Sequence, residues 1–287
     1  MGLRQFSTHT WVWFPDMHFA FVPPGSPKPI DRHDPKAISV AMQILADIRP
    51  DSFGQVGDLA HLGYLSHWAV GRDMQGKVPA QDGESVAMNI ENDNNGINRW
   101  LDQTERILPK KCEKYQLEGN HEEILRNSRQ MNKFQGWVTK DWYPEKAWVL
   151  DERKIKWVPY QSYNAVGGKN WVDCGRLKIF HGHYASSNHL KKHFEDHGGS
   201  GGYGHLHTVA EETFKHGQFP ATVFTFGCLC AREASYHRGR NNAWAQAMLE
   251  VYVQPSGQFN HQIIRIINGQ AIRNGKVYNA KPLKGLE

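Results

Sequence analysis

The chain has no apolar run near the roughly 20 residues that cross a bilayer, which excludes an expected membrane-spanning helix. Met1 to Thr10 are polar and mixed and lack the apolar stretch of a secretory signal. A soluble, cytoplasmic protein is the expectation. Cysteine is scarce: Cys112, Cys174, Cys228 and Cys230 are scattered and form no Cys-x-x-Cys pair. The Cys228-Leu229-Cys230 spacing does not suit a zinc knuckle and lies in an apolar run, so all four read as reduced thiols in or near the core. The excess of one sign of charge is also small, with 34 lysines and arginines against 29 aspartates and glutamates. A net charge of +5 favours an anionic partner only mildly and does not establish nucleic-acid binding. No internal repeat, low-complexity tract or linker divides residues 1–287, which read as one domain large enough to bury a sizeable core.

Histidine, by contrast, is plentiful, at 16 residues. Its placement follows from a pass along the chain. Thr10 to Phe14 reads as a buried strand ending at Pro15-Asp16-Met17-His18. After a Pro-rich loop, Val22 to Asp31, Asp34 is an N-cap candidate with Pro35 at the first helical position. Ile38, Ala41, Ile44, Leu45 and Ile48 recur at helical spacing, which predicts a helix from Pro35 to about Ile48. Ser52 to Val56 is a strand closing at Gly57-Asp58, and about 63–83 is an irregular, Gly-rich insertion. A helix is predicted from Glu84 to Leu108, with an interruption at Gly96. A strand, Tyr115 to Leu117, runs into Glu118-Gly119-Asn120-His121, and a helix continues from Glu122 to about Asn132.

Further on, Arg176 to Phe180 is a strand ending at His181, Ser186 to Glu195 a helix, and Gly198 to Gly204 a glycine loop ending at His205. Ala221 to Phe226, Ala247 to Val253 and Gln262 to Ile267 are strands, with a C-terminal hairpin over about 258–280 turning at Asn268-Gly269. Strand and helix thus alternate in the first half, while the second half is mostly strand.

The predicted strand ends share one property. They carry metal-type ligands: Asp16 and His18, Asp58, Asn120 and His121, His181, then His205 and His207. In open α/β sheets the carboxyl ends of strands line the ligand crevice, so residues distant in sequence can meet there. Two cations about 3.5–4 Å apart need a bridging ligand, and a carboxylate with two oxygens suits that role. Histidine nitrogens and an amide oxygen complete the shells without more negative charge. Mixed nitrogen and oxygen donors suit manganese, iron, zinc or nickel better than magnesium or calcium.

The series Asp16-x-His18, Gly57-Asp58, Gly119-Asn120-His121-Glu122, His181-Gly182-His183 and Gly204-His205-x-His207 resembles the motifs of the calcineurin-like metallophosphoesterase superfamily. All five occur in order between about Trp11 and His207. The resemblance implies an α/β fold of two mixed β-sheets packed as a sandwich and flanked by helices, in four layers. It implies that Asp16, His18 and His207 hold one divalent metal ion and Asn120, His181 and His205 a second, with Asp58 between them. His121 is then the general acid, or a donor to the leaving oxygen, and a hydroxide activated by both metal ions attacks phosphorus. Manganese is the first choice of metal.

Within that superfamily, Ser/Thr phosphatases carry Gly-Asp-x-Val-Asp-Arg-Gly where this chain reads Gly57-Asp58-Leu59-Ala60-His61. No arginine follows here until Arg72, and Glu118 stands where those enzymes place another arginine. Gly-Asp-Leu-x-His is similar instead to the nuclease subunits of double-strand-break repair. On that likeness His61 touches the scissile phosphate or assists His121. Those nucleases have Gly-Asn-His-Asp where Glu122 stands here, and their partner-docking elements are not expected after the last hairpin. The expectation is a small phosphodiesterase or nuclease, with DNA or RNA as candidate substrates. A phosphomonoesterase and a non-catalytic, metal-stabilised binding module are the alternatives.

Several residues carry a plainer reading. His181 and His183 compete for one ligand position; the strand end favours His181 and leaves His183 to face substrate. His189, His193 and His197 form a stripe on one helix face, read as solvated, with Lys191 and Lys192 beside it. Trp137, Trp142, Tyr143 and Trp148 read as a satellite core rather than a base-stacking surface. Arg265, Arg273, Lys276, Lys281 and Lys284 read as a solvated basic tail.

Overall fold

A computed structural model of the chain describes residues 7–21, 32–65, 83–126, 139–161, 168–232 and 242–283. The Pro-rich loop 22–31, most of the insertion (66–82), and Arg72, Trp137 and Lys284 lie outside them. The first elements follow the expected pattern. In β1 (His9–Phe14) Val12 and Phe14 face one apolar cluster and Trp11 and Trp13 another, as the two-residue period of a strand requires. Helix α1 (Pro35–Ile48) begins where Asp34 accepts the N–H groups of Lys36 and Ala37 at 2.8 and 3.2 Å. It ends where Arg49 turns left-handed and its N–H reaches the Leu45 carbonyl.

Helix α2 (Gly83–Ile107) runs through Gly96 without the predicted break. The glycine instead admits the Phe21 ring, whose carbons lie 2.1 Å from where a Cβ would be. After β2 (Ser52–Gln55) and β3 (Glu113–Leu117), Asn120–Glu123 forms one helical turn and Ile124–Arg126 a 3-10 turn. The rest of the helix expected to Asn132 lies outside the described residues.

The protein is α/β with two mixed sheets. The larger runs β13-β12-β11-β10-β1-β2-β3-β4 and the smaller β5-β6-β7-β9-β8. The remaining strands are β4 (Ile155–Val158), β5 (Trp171–Cys174), β6 (Leu177–Phe180), β7 (Ser200–Tyr203), β8 (Val209–Phe214), β9 (Ala221–Phe226), β10 (Gln246–Val253), β11 (Phe259–Ile267), β12 (Gln270–Arg273) and β13 (Lys276–Asn279). Neighbours β1 to β4 are parallel, as are β6, β7 and β9; the other pairs are antiparallel. Trp13, Leu249 and Val251 of the larger sheet pack with Ile179, Phe224 and Phe226 of the smaller, so the sheets share a core. Helices α1 and α2 cover the other face of the larger sheet with Ile38, Ile44, Ile97 and Trp100. Helix α3 (His189–His197) lays Leu190 and Phe194 on Phe180, Tyr203 and Val223 of the smaller.

Three further expectations fail for physical reasons. The glycine loop 198–204 contains a central strand, β7, in which Gly201 and Gly202 leave room for Phe180 and Phe224 of its neighbours. The single C-terminal hairpin is a three-stranded meander. Asn274-Gly275 makes a second turn with both residues at positive φ, like Asn268-Gly269. The histidine stripe of α3 faces inward. His193 is fully buried and His197 stacks on Phe180 at 3.9 Å, because a neutral imidazole packs as an aromatic plate. Trp148 belongs to the main core and Trp142 and Tyr143 pack against it, so these aromatics form no separate satellite. Of the basic tail, Arg273 pairs with Glu250 and Lys276 with Asp47. The four cysteines are free and buried. No helix among the described residues is long and apolar enough to cross a membrane.

One buried carboxyl joins the two loops that leave β1 and β2. Asp93 of α2 accepts the Phe21 N–H at 2.7 Å and the Tyr64 hydroxyl at 2.9 Å. Burial pushes its carboxyl up to about 7. A carboxyl raised on folding contributes stability at acid pH that is lost as pH rises through the folded value. Asp93→Asn keeps the shape without the charge. Its thermal midpoint relative to wild type should therefore rise between about pH 4 and pH 7 and level off above that. A difference independent of pH in thermal scans would contradict the assignment.

Candidate metal centre

The ends of β1, β2 and β3 in one sheet and of β6 and β7 in the other open on the same crevice. Each delivers the side chains named above within a few residues. The backbone there is under strain: His18, Asp58, His205 and His207 all have φ between 49° and 64°. Non-glycine residues held in the left-handed region cost about 1–3 kcal/mol each and cluster at functional sites.

Asp58 is the common neighbour. Its Oδ2 lies 3.4 Å from His181 Nε2, 3.7 Å from His18 Nε2 and 4.0 Å from His121 Nε2. Asn120 Oδ1 lies 3.0 Å from His181 Nε2 and 2.8 Å from His205 Nδ1. On the other side, Asp16 Oδ1 is 3.5 Å from His207 Nε2, which is 3.1 Å from His18 Nε2. Four groups have all their donor atoms within 4.8 Å of one another: His18, His207 and Cys230; His18, His61 and His121; and two that contain carboxylates, Asp16, His18 and Asp58, and Asp58, His181 and His205. Asp58 belongs to both of the last two. All seven expected ligands come together.

The donor atoms suit cations. Asp16 is fully buried, and its Oδ2 has no hydrogen-bond partner among the described residues. An orphaned buried carboxylate oxygen costs more than the roughly 1–3 kcal/mol of a neutral group unless a cation meets it. His181 Nδ1 lies 2.9 Å from the Val56 carbonyl and donates to it, so Nε2 is the nitrogen turned toward Asp58 and Asn120. Burial, then the charge of His121, holds His18 well below the usual imidazole range. Burial, then His181, lowers His205 to about 4. Burial opposes charge on His181, yet the Asp58 carboxylate raises it to about 9. Burial likewise opposes charge on Asp58, but His181 and His121 hold its carboxyl well below the usual range. The carboxylates thus draw positive charge onto His181 and His207 against the cost of burial, while burial holds His18 and His205 below the usual imidazole range.

Glu122 sets the loops. Buried completely, it accepts the N–H groups of Asp58 at 2.9 Å, Gly119 at 2.8 Å and Ala60 at 2.8 Å. Burial and then the Asp58 charge push its carboxyl up to about 8, against those donors. Asp58 Oδ1 in turn accepts the His121 N–H at 2.9 Å. Gly119 permits this closeness, since a Cβ there would stand 2.2 Å from Asp58 N and Oδ1. Gly57, at φ 105°, makes the turn before Asp58. Gln55 braces that turn, accepting the Gly57 N–H and donating to its carbonyl.

His61 and His121 flank the cluster. His61 Nδ1 is 3.3 Å from His18 Nδ1, and the His61 carbonyl accepts from His121 Nδ1. A cleft of about 210 Å³ is lined by His18, Asp58, His61, Asn120, His121, His205 and His207, with Cys230, Ala231 and Trp244 beside them. His183 does not line it. Exposed, it pairs with Asp196 at 3.3 Å, so a substrate contact at His183 finds no support. Cys230, Trp244 and the clamp Glu122 were missed by sequence reasoning. Glu122 stood inside a quoted motif; Cys230 and Trp244 carried no local signal.

No family model and no curated protein matches the chain. Among solved structures 57 chains match. One of them is a crystal structure aligned over 89% of this chain and 99% of its own, at 9% identity and a TM-score of 0.39. A likeness that slight carries no argument.

Glu122→Ala would leave three buried N–H donors without their acceptor, at about 1–3 kcal/mol each. Urea denaturation should show a loss of at least about 3 kcal/mol, with Glu122→Gln falling between because one amide oxygen still accepts. An alanine variant as stable as wild type would show that the loops hold themselves.

Proposed function

We propose that the protein is a two-metal phosphoesterase with the four-layer α/β/β/α architecture of the calcineurin-like metallophosphoesterases, acting on a phosphodiester. The observation that carries this reading is the pair of donor groups sharing Asp58 at the floor of an open cleft. Asp16, His18 and His207 would hold one cation and Asn120, His181 and His205 the other, with Asp58 serving both. Manganese is the proposed metal. Such a pair supplies Lewis acidity, activating water and neutralising charge on phosphoryl oxygens.

The chain's own groups do the rest. His121 donates through Nδ1 to the His61 carbonyl, which aims its Nε2 edge at the cleft. From there it serves as the proton donor to the leaving oxygen. His61 contributes that carbonyl and packs its ring against His18, so its role is to orient His121 as well as to line the cleft.

The choice of diester over monoester rests on charge. No lysine or arginine is among the described residues lining the cleft. A diester monoanion needs less compensating charge than a monoester dianion. Glu118, where a phosphate-binding arginine would stand in the phosphatases, turns away to Arg126 at 2.6 Å and to the Tyr160 N–H at 3.1 Å. A short nucleic acid or nucleotide-like diester fits this charge, with DNA and RNA as the substrates to try.

Manganese-loaded protein should hydrolyse bis-p-nitrophenyl phosphate in preference to p-nitrophenyl phosphate. His121→Ala should lower the rate by about 10²–10⁴-fold with metal content unchanged. No turnover of either ester or of DNA and RNA would sink the enzymatic reading. Preference for the monoester would overturn only the diester choice. Activity indifferent to His121→Ala would remove the proton donor.

A further inference from the structure

We propose that Cys230 is a positioning residue for His207, accepting a hydrogen bond from the nitrogen that faces away from the candidate ligands. The two nitrogens of His207 face different partners. Nε2 lies 3.5 Å from Asp16 Oδ1 and 3.1 Å from His18 Nε2, while Nδ1 lies 3.7 Å from Cys230 Sγ. Both residues are buried, at 5% and 2% exposure, so the contact is largely withdrawn from bulk solvent. A histidine that offers Nε2 to a metal carries its proton on Nδ1, and that N–H needs an acceptor to fix ring and tautomer. Carboxylates and carbonyls are the usual acceptors. Here the group in reach is a thiol.

The segment that carries the sulfur is tied to the same centre. Leu229 N–H donates to the Asp16 carbonyl at 2.7 Å, so the residue before Cys230 is fastened to a candidate ligand. The Cys230 carbonyl accepts from Gln246 Nε2 at 2.8 Å, and that amide also donates to Asp34 Oδ2 at 2.8 Å. Ala231 N–H reaches the Arg32 carbonyl at 2.8 Å. The sulfur therefore has a fixed place. Trp244 closes the remaining side, its ring 4.2 Å from that of His207 at 73°. The ring of His207 is thus set from outside the ligand cluster by a sulfur and an indole.

The consequence for metal binding rests on the reading of His207 as a ligand; the hydrogen bond itself does not. The experiment has an arm for each, using the full chain with nitrogen-15-labelled histidine. In metal-free protein, the NMR signals of His207 should show a protonated Nδ1 in wild type and Cys230→Ser, and a shifted or faster-exchanging one in Cys230→Ala. Cobalt(II) titration should then give two sites in wild type. Cys230→Ala should weaken one of them by about 10–100-fold and alter its visible spectrum, with Cys230→Ser restoring most of the affinity.

A His207 signal unchanged by Cys230→Ala, or two sites of wild-type affinity in that variant, would overturn the proposal. So would equal losses in the serine and alanine variants. Wild-type protein that takes up no cobalt while the NMR difference persists would sink the metal reading and leave the positioning role standing.

Discussion

The Asp58 carboxylate is buried to 2% exposure at the meeting point of both sheets, and the surrounding structure is arranged around it. One oxygen accepts the His121 N–H, the other faces three imidazoles, and its own N–H is taken by Glu122. A buried carboxylate is tolerable only where its charge is met and its hydrogen bonds are made. Three parallel strands ending side by side in the larger sheet bring Asp16, Asp58 and Asn120 together. Two more in the smaller sheet add His181, His205 and His207.

Such a site costs stability, and the rest of the molecule offsets the cost. Four candidate ligands hold left-handed backbones, and the polar groups Gln55, Gln116 and Glu122 are buried beneath them. Large apolar layers flank this region: Trp13, Phe224 and Phe226 between the sheets, and Phe14, Phe53 and Trp100 under α1 and α2. Close packing of that kind holds loops in conformations they would not adopt alone. The Glu122 clamp adds specific geometry, because one carboxylate sets the spacing between the loops after β2 and β3.

Much of the site was legible in the chain because its ligands sit just past short hydrophobic strands, in motifs that keep their order. Asp16, Asp58 and His181 could be nominated one by one, since a polar residue ending a buried strand points to a crevice. Some of the fold was legible for the same reason. The helix from Pro35 was bounded correctly by a cap, a proline and a 3.6-residue period. Strand β7 was illegible because its glycines look like a loop until Phe180 and Phe224 are seen to fill their space. The inward histidines of α3 were illegible because imidazole counts as polar in a periodicity and as aromatic in a core.

What the amino-acid order determined by itself is the inventory: which residues end strands, which helix is capped where, and that acidic and imidazole donors outnumber other polar types at those ends. Local pattern encodes these, because periodicity and capping act over a few residues. Tertiary structure alone decided that His183 stands outside the cleft and pairs with Asp196, although its place two residues past His181 suggested a substrate contact. It also decided that Cys230, from an apolar run 23 residues downstream, stands behind His207. Contacts of that range depend on how two sheets stack, and no spacing within one segment carries that information.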